Sequence, residues 1–159
     1  MIAEERESMS PTKIGFGILW PACWTGVPIK AVIVVIVMTM GLVHFEGRFG
    51  LAVVMLLISP VTVFAIPIIM AVFGTHFGEG IGLEILFWLS IPVDIWAFGL
   101  VGRTYFLERL RKEPPDDGLG LAIWWRAALV GAFFLPALWG AVSFVTDNAI
   151  TASRSMAEI

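Results

Sequence analysis

Asp94 stands in a long apolar run, where a carboxylate near the middle of a membrane span costs about 2.5–3.5 kcal/mol on insertion scales. It therefore needs a partner or a path to water. Arg126 is the expected partner. Asp94 lies eight residues before Gly102 and Arg126 eight residues after Gly118. Antiparallel neighbours leaving the membrane at those glycines would hold both charges at one depth, roughly 12 Å from the surface at about 1.5 Å per residue. Two other roles stay open: Arg126 snorkelling to the interface beside Trp124 and Trp125, and Asp94 in a proton or ion pathway.

The other residues with chemical potential are sparse. His44, Glu46 and Arg48 fall in one short polar stretch, and His76, Glu79 and Glu84 in and beside the next. His76-x-x-Glu79 has a spacing that metals accept, but the two histidines flank one hydrophobic segment and cannot share a site if that segment spans. No metal and no cofactor is expected. Cys23 is the single cysteine, so neither an internal disulfide nor a cysteine metal cluster can form; among Trp20, Pro21 and Trp24 it reads as a small apolar packing residue. No Gly-rich phosphate loop, Ser/His/Asp set or Cys beside His can be assembled. The expectation is a chain that is not an enzyme.

The elements that position these residues follow from composition. Of 159 residues, 58% are hydrophobic and 14% charged, whereas an ordinary soluble domain has roughly 45–50% and about 25%. The apolar residues come in runs long enough to span a bilayer, so the sequence predicts an all-α integral membrane protein with about four transmembrane helices and an N-terminal interfacial helix. The divisions are a polar tail over 1–13, an interfacial helix over 14–26, and a bundle over 27–146 with spans near 28–45, 50–74, 81–102 and 119–145. A polar tail over 147–159 follows. Ile14 to Phe45 as one helix would measure about 48 Å, too long for a hydrocarbon core of about 30 Å, and Pro21 with Gly26-Val27-Pro28 supplies the break. In the second segment, Pro60 and Pro67 predict either a kinked span or a re-entrant hairpin.

Trp20, Trp24, Trp124 and Trp125 are the expected interface anchors. On the fourth helix, Ala127 and Gly131, Ala128 and Ala132, and Ala137 and Ala141 are each four apart, the spacing that lets helices approach closely in lipid. Arg103, Arg109, Arg111 and Lys112 form a basic segment that the positive-inside rule places in the cytoplasm, where it could dock a partner or anionic lipid. With four spans both termini then lie outside, together with Arg6, Lys13 and Lys30. A re-entrant second segment instead puts the N-terminus and the basic segment on one side. The net charge of -3 and the lack of a dense basic stripe argue against direct nucleic-acid binding. The first residues, with Glu4, Glu5 and Glu7 around Arg6, are not the basic start of a cleavable signal.

Leu19-Trp20-Pro21-Ala22-Cys23-Trp24-Thr25-Gly26-Val27-Pro28-Ile29, followed by one span and a second that contains proline, resembles the start of the short inner-membrane subunit of type IV secretion and conjugation machines. The likeness covers residues 17–75. It implies an interfacial helix before a membrane hairpin, and a non-catalytic component that works beside the machine's cytoplasmic ATPase in a bacterial inner membrane.

The reading that results is a non-enzymatic membrane subunit or assembly factor of a larger complex, in contact with lipid and with other membrane subunits. The alternatives are a small oligomeric transporter or channel that uses Asp94, and an electron-transfer or haem-anchoring subunit that uses His44 and His76.

Overall fold

The computed structural model describes residues 10–42, 49–74, 81–115 and 118–157. Among the described residues six helices follow one another: α1 (Pro11–Thr39), α2 (Phe49–Leu57), α3 (Ser59–Thr62), α4 (Ala65–Phe73), α5 (Ile81–Glu108) and α6 (Leu119–Ala157). Three contain segments long and apolar enough to cross a membrane, namely Pro11–Thr39, Ile85–Glu108 and Leu119–Thr151.

α1 begins at Ser10, whose hydroxyl accepts from the Lys13 backbone N–H at 3.3 Å, with Pro11 in the first turn, where its missing N–H is no loss. It ends in a Schellman motif: Gly41, at φ +71°, lets its N–H reach Met38 O and the Leu42 N–H reach Val37 O. Between these ends the helix is continuous. The expected separation into an interfacial helix over 14–26 and a span from 28 is therefore corrected. Pro21 and Pro28 lie inside the helix, where apolar surroundings offer the backbone no better partners than its own. Gly26 serves packing rather than a turn: it is buried, and a Cβ there would lie 3.5 Å from Val93 Cγ1 on α5. At 29 residues the helix is about 44 Å long, so it crosses a core of about 30 Å only by tilting or projecting beyond it.

The second hydrophobic segment is not one helix. Pro60 and Pro67 each fall in the first turn of a new helix, α3 and α4, and a proline disfavours helical geometry just before it. α2 and α4 have nine residues each, about 13 Å or half a bilayer core.

Their path follows from their neighbours. α1 and α5 are antiparallel, because Gly17 packs against Tyr105, Lys30 pairs with Asp94, and Val37 clusters with Leu86. Leu56 belongs to that last cluster and Ser59 contacts Asp94, so α2 descends from the Thr39 end to mid-height. Val61 then packs against Gly131, and Phe73 against Gly140. From Phe64, beside Trp124 and Trp125, to Phe73 beside Gly140, α4 thus runs in the same sense as α6, which starts beside Gly99 and Gly102. The chain has turned back at mid-height toward the end it came from. Residues 49–73 form a helical hairpin with its tip inside the bundle, and among the described residues three helices are long and apolar enough to span, so the fourth expected span is not confirmed.

The main core joins Ile18 and Ala22 of α1, Val63 and Ile66 near the hairpin tip, Phe87, Ala97 and Phe98 of α5, and Trp124 and Ala128 of α6. α5 and α6 meet glycine to glycine. A Cβ on Gly120 would collide with the carbonyl oxygen of Ile95 and sit 2.9 Å from the Gly99 nitrogen.

Candidate functional site: a buried lysine, serine and aspartate

At the hairpin tip, three polar side chains from three helices meet in the apolar interior. Lys30 is 3% exposed, Ser59 0% and Asp94 1%. The Lys30 Nζ lies 2.5 Å from Asp94 Oδ1 and donates to Ser59 Oγ at 2.8 Å. Ser59 Oγ in turn donates to Asp94 Oδ2 at 2.5 Å. A second ammonium hydrogen bond goes to the carbonyl of Leu56 at 3.1 Å. The sequence makes that carbonyl available, because its helical partner would be the N–H of residue 60, and proline has none. Pro60 thus bends the chain and exposes the acceptor that Lys30 takes up. Nearby, Thr62 Oγ1 donates to Met55 O at 3.0 Å, a further carbonyl left over at the bend, and to Ile58 O at 3.2 Å, which also accepts from the Val61 and Thr62 backbone N–H groups.

The ammonium thus donates two hydrogen bonds and pairs by charge with Asp94 Oδ1, which accepts no hydrogen bond, while Oδ2 accepts from Ser59. A buried ion pair is favoured in a low-dielectric interior to the extent that its remaining hydrogen-bonding capacity is met, as it is here for all but Oδ1. In chemical terms the cluster is a neutral clasp linking α1, the hairpin tip and α5. A serine beside a lysine is also the arrangement of a Ser-Lys nucleophile. Here, however, Lys30 donates to the hydroxyl and is held by a carboxylate, which is the opposite of a base poised to take the serine proton.

The Asp94–Arg126 ion pair expected from sequence is corrected: Asp94 pairs with Lys30, and Arg126 is exposed on the other side of the core. α5 and α6 are neighbours at matching depth, but the face of α5 carrying Asp94 looks at α1 and the hairpin. Lys30 reaches Asp94 because α1 runs unbroken through Gly26–Pro28; a break there would leave it near the surface.

Among the expected anchors, Trp20, Trp24 and Trp125 are exposed. Phe16, Trp20 and Trp24 form an aromatic ladder on one face of α1, with centroids 6.1 and 5.9 Å apart. Trp124 is corrected to a core residue, 5% exposed and edge-on to Phe64 at 6.0 Å. Of the small residues on α6, Ala128 and Gly131 are buried and Ala127 and Ala132 half-buried, whereas Ala137 and Ala141 are exposed. The first four pack within the chain. The basic segment Arg103, Arg109, Arg111 and Lys112 is exposed. His44, Glu46, Arg48, His76 and Glu79, the residues of the metal and haem readings, lie outside the described residues. Cys23 is buried and unoxidised. Among the described residues, no group of three or more His, Cys, Asp or Glu is placed to hold a metal ion. Comparison with protein-family models, with curated proteins and with solved structures finds no match.

Proposed function

We propose that this protein is a non-enzymatic subunit or assembly factor of a larger membrane complex, in which the half-membrane hairpin is a rigid feature held from within by Lys30, Ser59 and Asp94. The observation carrying this reading is the closure of the polar cluster. The ammonium, the hydroxyl and one carboxylate oxygen hydrogen-bond within it, and the other carboxylate oxygen faces the ammonium as its counter-charge, as suits a structural joint. Outside it, the surface is apolar on all sides, with Phe133, Phe134, Phe144 and Val145 of α6 each more than 60% exposed. Lipid and neighbouring subunits are the natural cover for such a surface.

The orientation we propose follows from the same geometry. Because Gly17 lies against Tyr105, Lys13 and the basic segment from Arg103 to Lys112 share one end of the bundle. The positive-inside rule assigns that end to the cytoplasm, so the hairpin enters from the opposite face. A bacterial inner membrane, and a secretion or conjugation machine in particular, is the setting suggested by the resemblance over residues 17–75. Isolation from native membranes in mild detergent tests the main proposal: a stoichiometric protein partner is expected, and recovery as a lone monomer would defeat it.

One observation favours a second reading. Lys30, Ser59 and Asp94 form a continuous hydrogen-bonded chain, the form a proton relay takes, so a small oligomeric proton-coupled transporter is the alternative. Reconstituted vesicles would then show a proton flux abolished by Asp94→Asn; equal leaks in both proteins would dismiss it.

A further inference from the structure

Arg126 lies seven residues into α6, in a membrane-crossing segment. Among the described residues neither an ion pair nor a hydrogen bond reaches its guanidinium. Asp94, the carboxylate on the facing stretch of α5, is committed to Lys30. An arginine so placed needs an anion, since leaving it bare costs about 2.5–3.5 kcal/mol on insertion scales.

The surroundings indicate which anion. Arg126 borders an open groove of about 340 Å³ between α1 and α6, otherwise walled by apolar side chains and glycine, including Ile18, Leu19, Phe98, Ile123 and Val130. One rim is Gly15, two residues from Lys13 and at the same end of the bundle as the basic segment. The backbone of Arg126 is about level with Asp94, seven residues in from the α6 start beside Gly99 and Gly102; side chains on a helix lean toward its N-terminus, so the groove offers one cation facing the basic end and an apolar trough that continues past it to Val130. A free inorganic anion would satisfy the cation and leave the trough unused. A carboxylate from another protein would need its own desolvation.

We infer that this groove binds an anionic phospholipid, with its phosphate on the Arg126 guanidinium and an acyl chain along Ala127 and Val130. The inference rests on the membrane orientation proposed above for its biological setting, in that the basic end faces the leaflet richer in anionic lipid. The binding itself does not depend on orientation and is measurable in micelles, so failure of one leaves the other standing. Arginine suits the role because its planar fork makes paired hydrogen bonds to phosphate oxygens.

The test uses the full chain, delipidated in a neutral detergent, with phosphatidylglycerol, phosphatidylcholine or inorganic phosphate added. Bound lipid is read by native mass spectrometry and the unfolding midpoint by a thermal scan. Phosphatidylglycerol is expected to be retained and to raise the midpoint. Arg126→Gln should weaken its binding by at least about fivefold, the equivalent of roughly 1 kcal/mol for one arginine near a phosphate surface. Should that variant fold poorly, Val130→Trp, at a 65% exposed position, fills the trough and leaves the arginine in place; it should also lose the lipid. Asn148→Ala, at an exposed position far along α6 from the groove, should bind as the parent does. Equal retention of the two lipids, or undiminished phosphatidylglycerol binding in both groove variants, overturns the inference. An effect of inorganic phosphate equal to that of the lipid would assign the site to a free anion. A detergent-stable dimer that Arg126→Gln dissolves would assign the arginine to a second copy.

Discussion

Lys30 and Asp94 differ from a surface ion pair in what happens when one is removed. The survivor stays in an apolar interior without its counter-charge, and truncating one partner of such a pair typically costs about 3–5 kcal/mol, whereas replacing both by apolar groups is often nearly neutral. Lys30→Met and Asp94→Asn are therefore each expected to lower stability in detergent by several kcal/mol, and the double variant by clearly less than their sum. Chemical denaturation of all four proteins checks this, with additivity as the adverse result. Asp94→Asn combined with Arg126→Gln should by contrast be additive, because these two residues have no direct contact. Ser59→Ala removes a hydroxyl that accepts from the lysine and donates to the aspartate; its expected cost is about 1–3 kcal/mol, that of leaving buried polar groups unsatisfied. At this scale the sequence was half legible. That Asp94 must be paired follows from its apolar neighbours alone. Its partner does not, because Lys30 and Asp94 are 64 positions apart in the chain and meet only once α1 stays unbroken and runs antiparallel to α5.

Proline and glycine decide the elements, but in different ways in different helices. Pro21 and Pro28 leave α1 intact, while Pro60 and Pro67 begin new helices, and local sequence does not separate the two cases. At the hairpin tip the carbonyls left over find side-chain donors: the Lys30 ammonium takes that of Leu56 and the Thr62 hydroxyl that of Met55. The Pro60 and Pro67 pattern thus announced a distortion, and its conversion into a full reversal depended on a lysine from another helix. The close crossings are similarly hidden in sequence. The four-residue spacing on α6 correctly marked Ala128 and Gly131, yet Gly99 and Gly120, which form the tightest approach of α5 and α6, belong to no such repeat across the two helices. A side chain at Gly131 would collide with the Val61 carbonyl, and one at Gly120 with that of Ile95. Because backbone cannot yield as a side-chain tip does, Gly131→Val and Gly120→Val should each destabilise by roughly 1–3 kcal/mol or more, the range for overpacking a filled interior. Ala137→Val and Ala141→Val, at exposed positions, should stay within about 0.5 kcal/mol. Melting temperatures of the four variants in one detergent separate the groups, and a large loss at Ala137 or Ala141 would contradict the assignment of those residues to the outer surface.

For the whole molecule, the hairpin changes which ends of the helices share a side of the membrane. Were residues 50–74 a full span, the chain would cross four times. Ser10 and Gly74 would then lie on one side, and Gly41 and Arg111 on the other. With the hairpin turning back at the level of Lys30 and Asp94, the pairing is different: Ser10 and Arg111 share the basic end, and Gly41 and Gly74 share the opposite one. Single cysteines at Ser10, Leu42, Phe73 and Arg111 distinguish the two arrangements once Cys23 has been replaced by alanine, a small change at a position that is already buried. Each variant is labelled in intact cells with a membrane-impermeant thiol reagent, before and after permeabilisation. Labelling at Leu42 and Phe73 without permeabilisation, together with labelling at Ser10 and Arg111 only after it, is the expected pattern. Opposite behaviour of Leu42 and Phe73 would restore the fourth span. A reversed but still paired pattern would keep the hairpin and overturn the orientation drawn from the basic end. The pairing carries the weight because it derives from the antiparallel contacts of α1 with α5. The side is set only by the charges of Lys13, Arg103, Arg109, Arg111 and Lys112, which act during insertion rather than in the packing of the finished bundle.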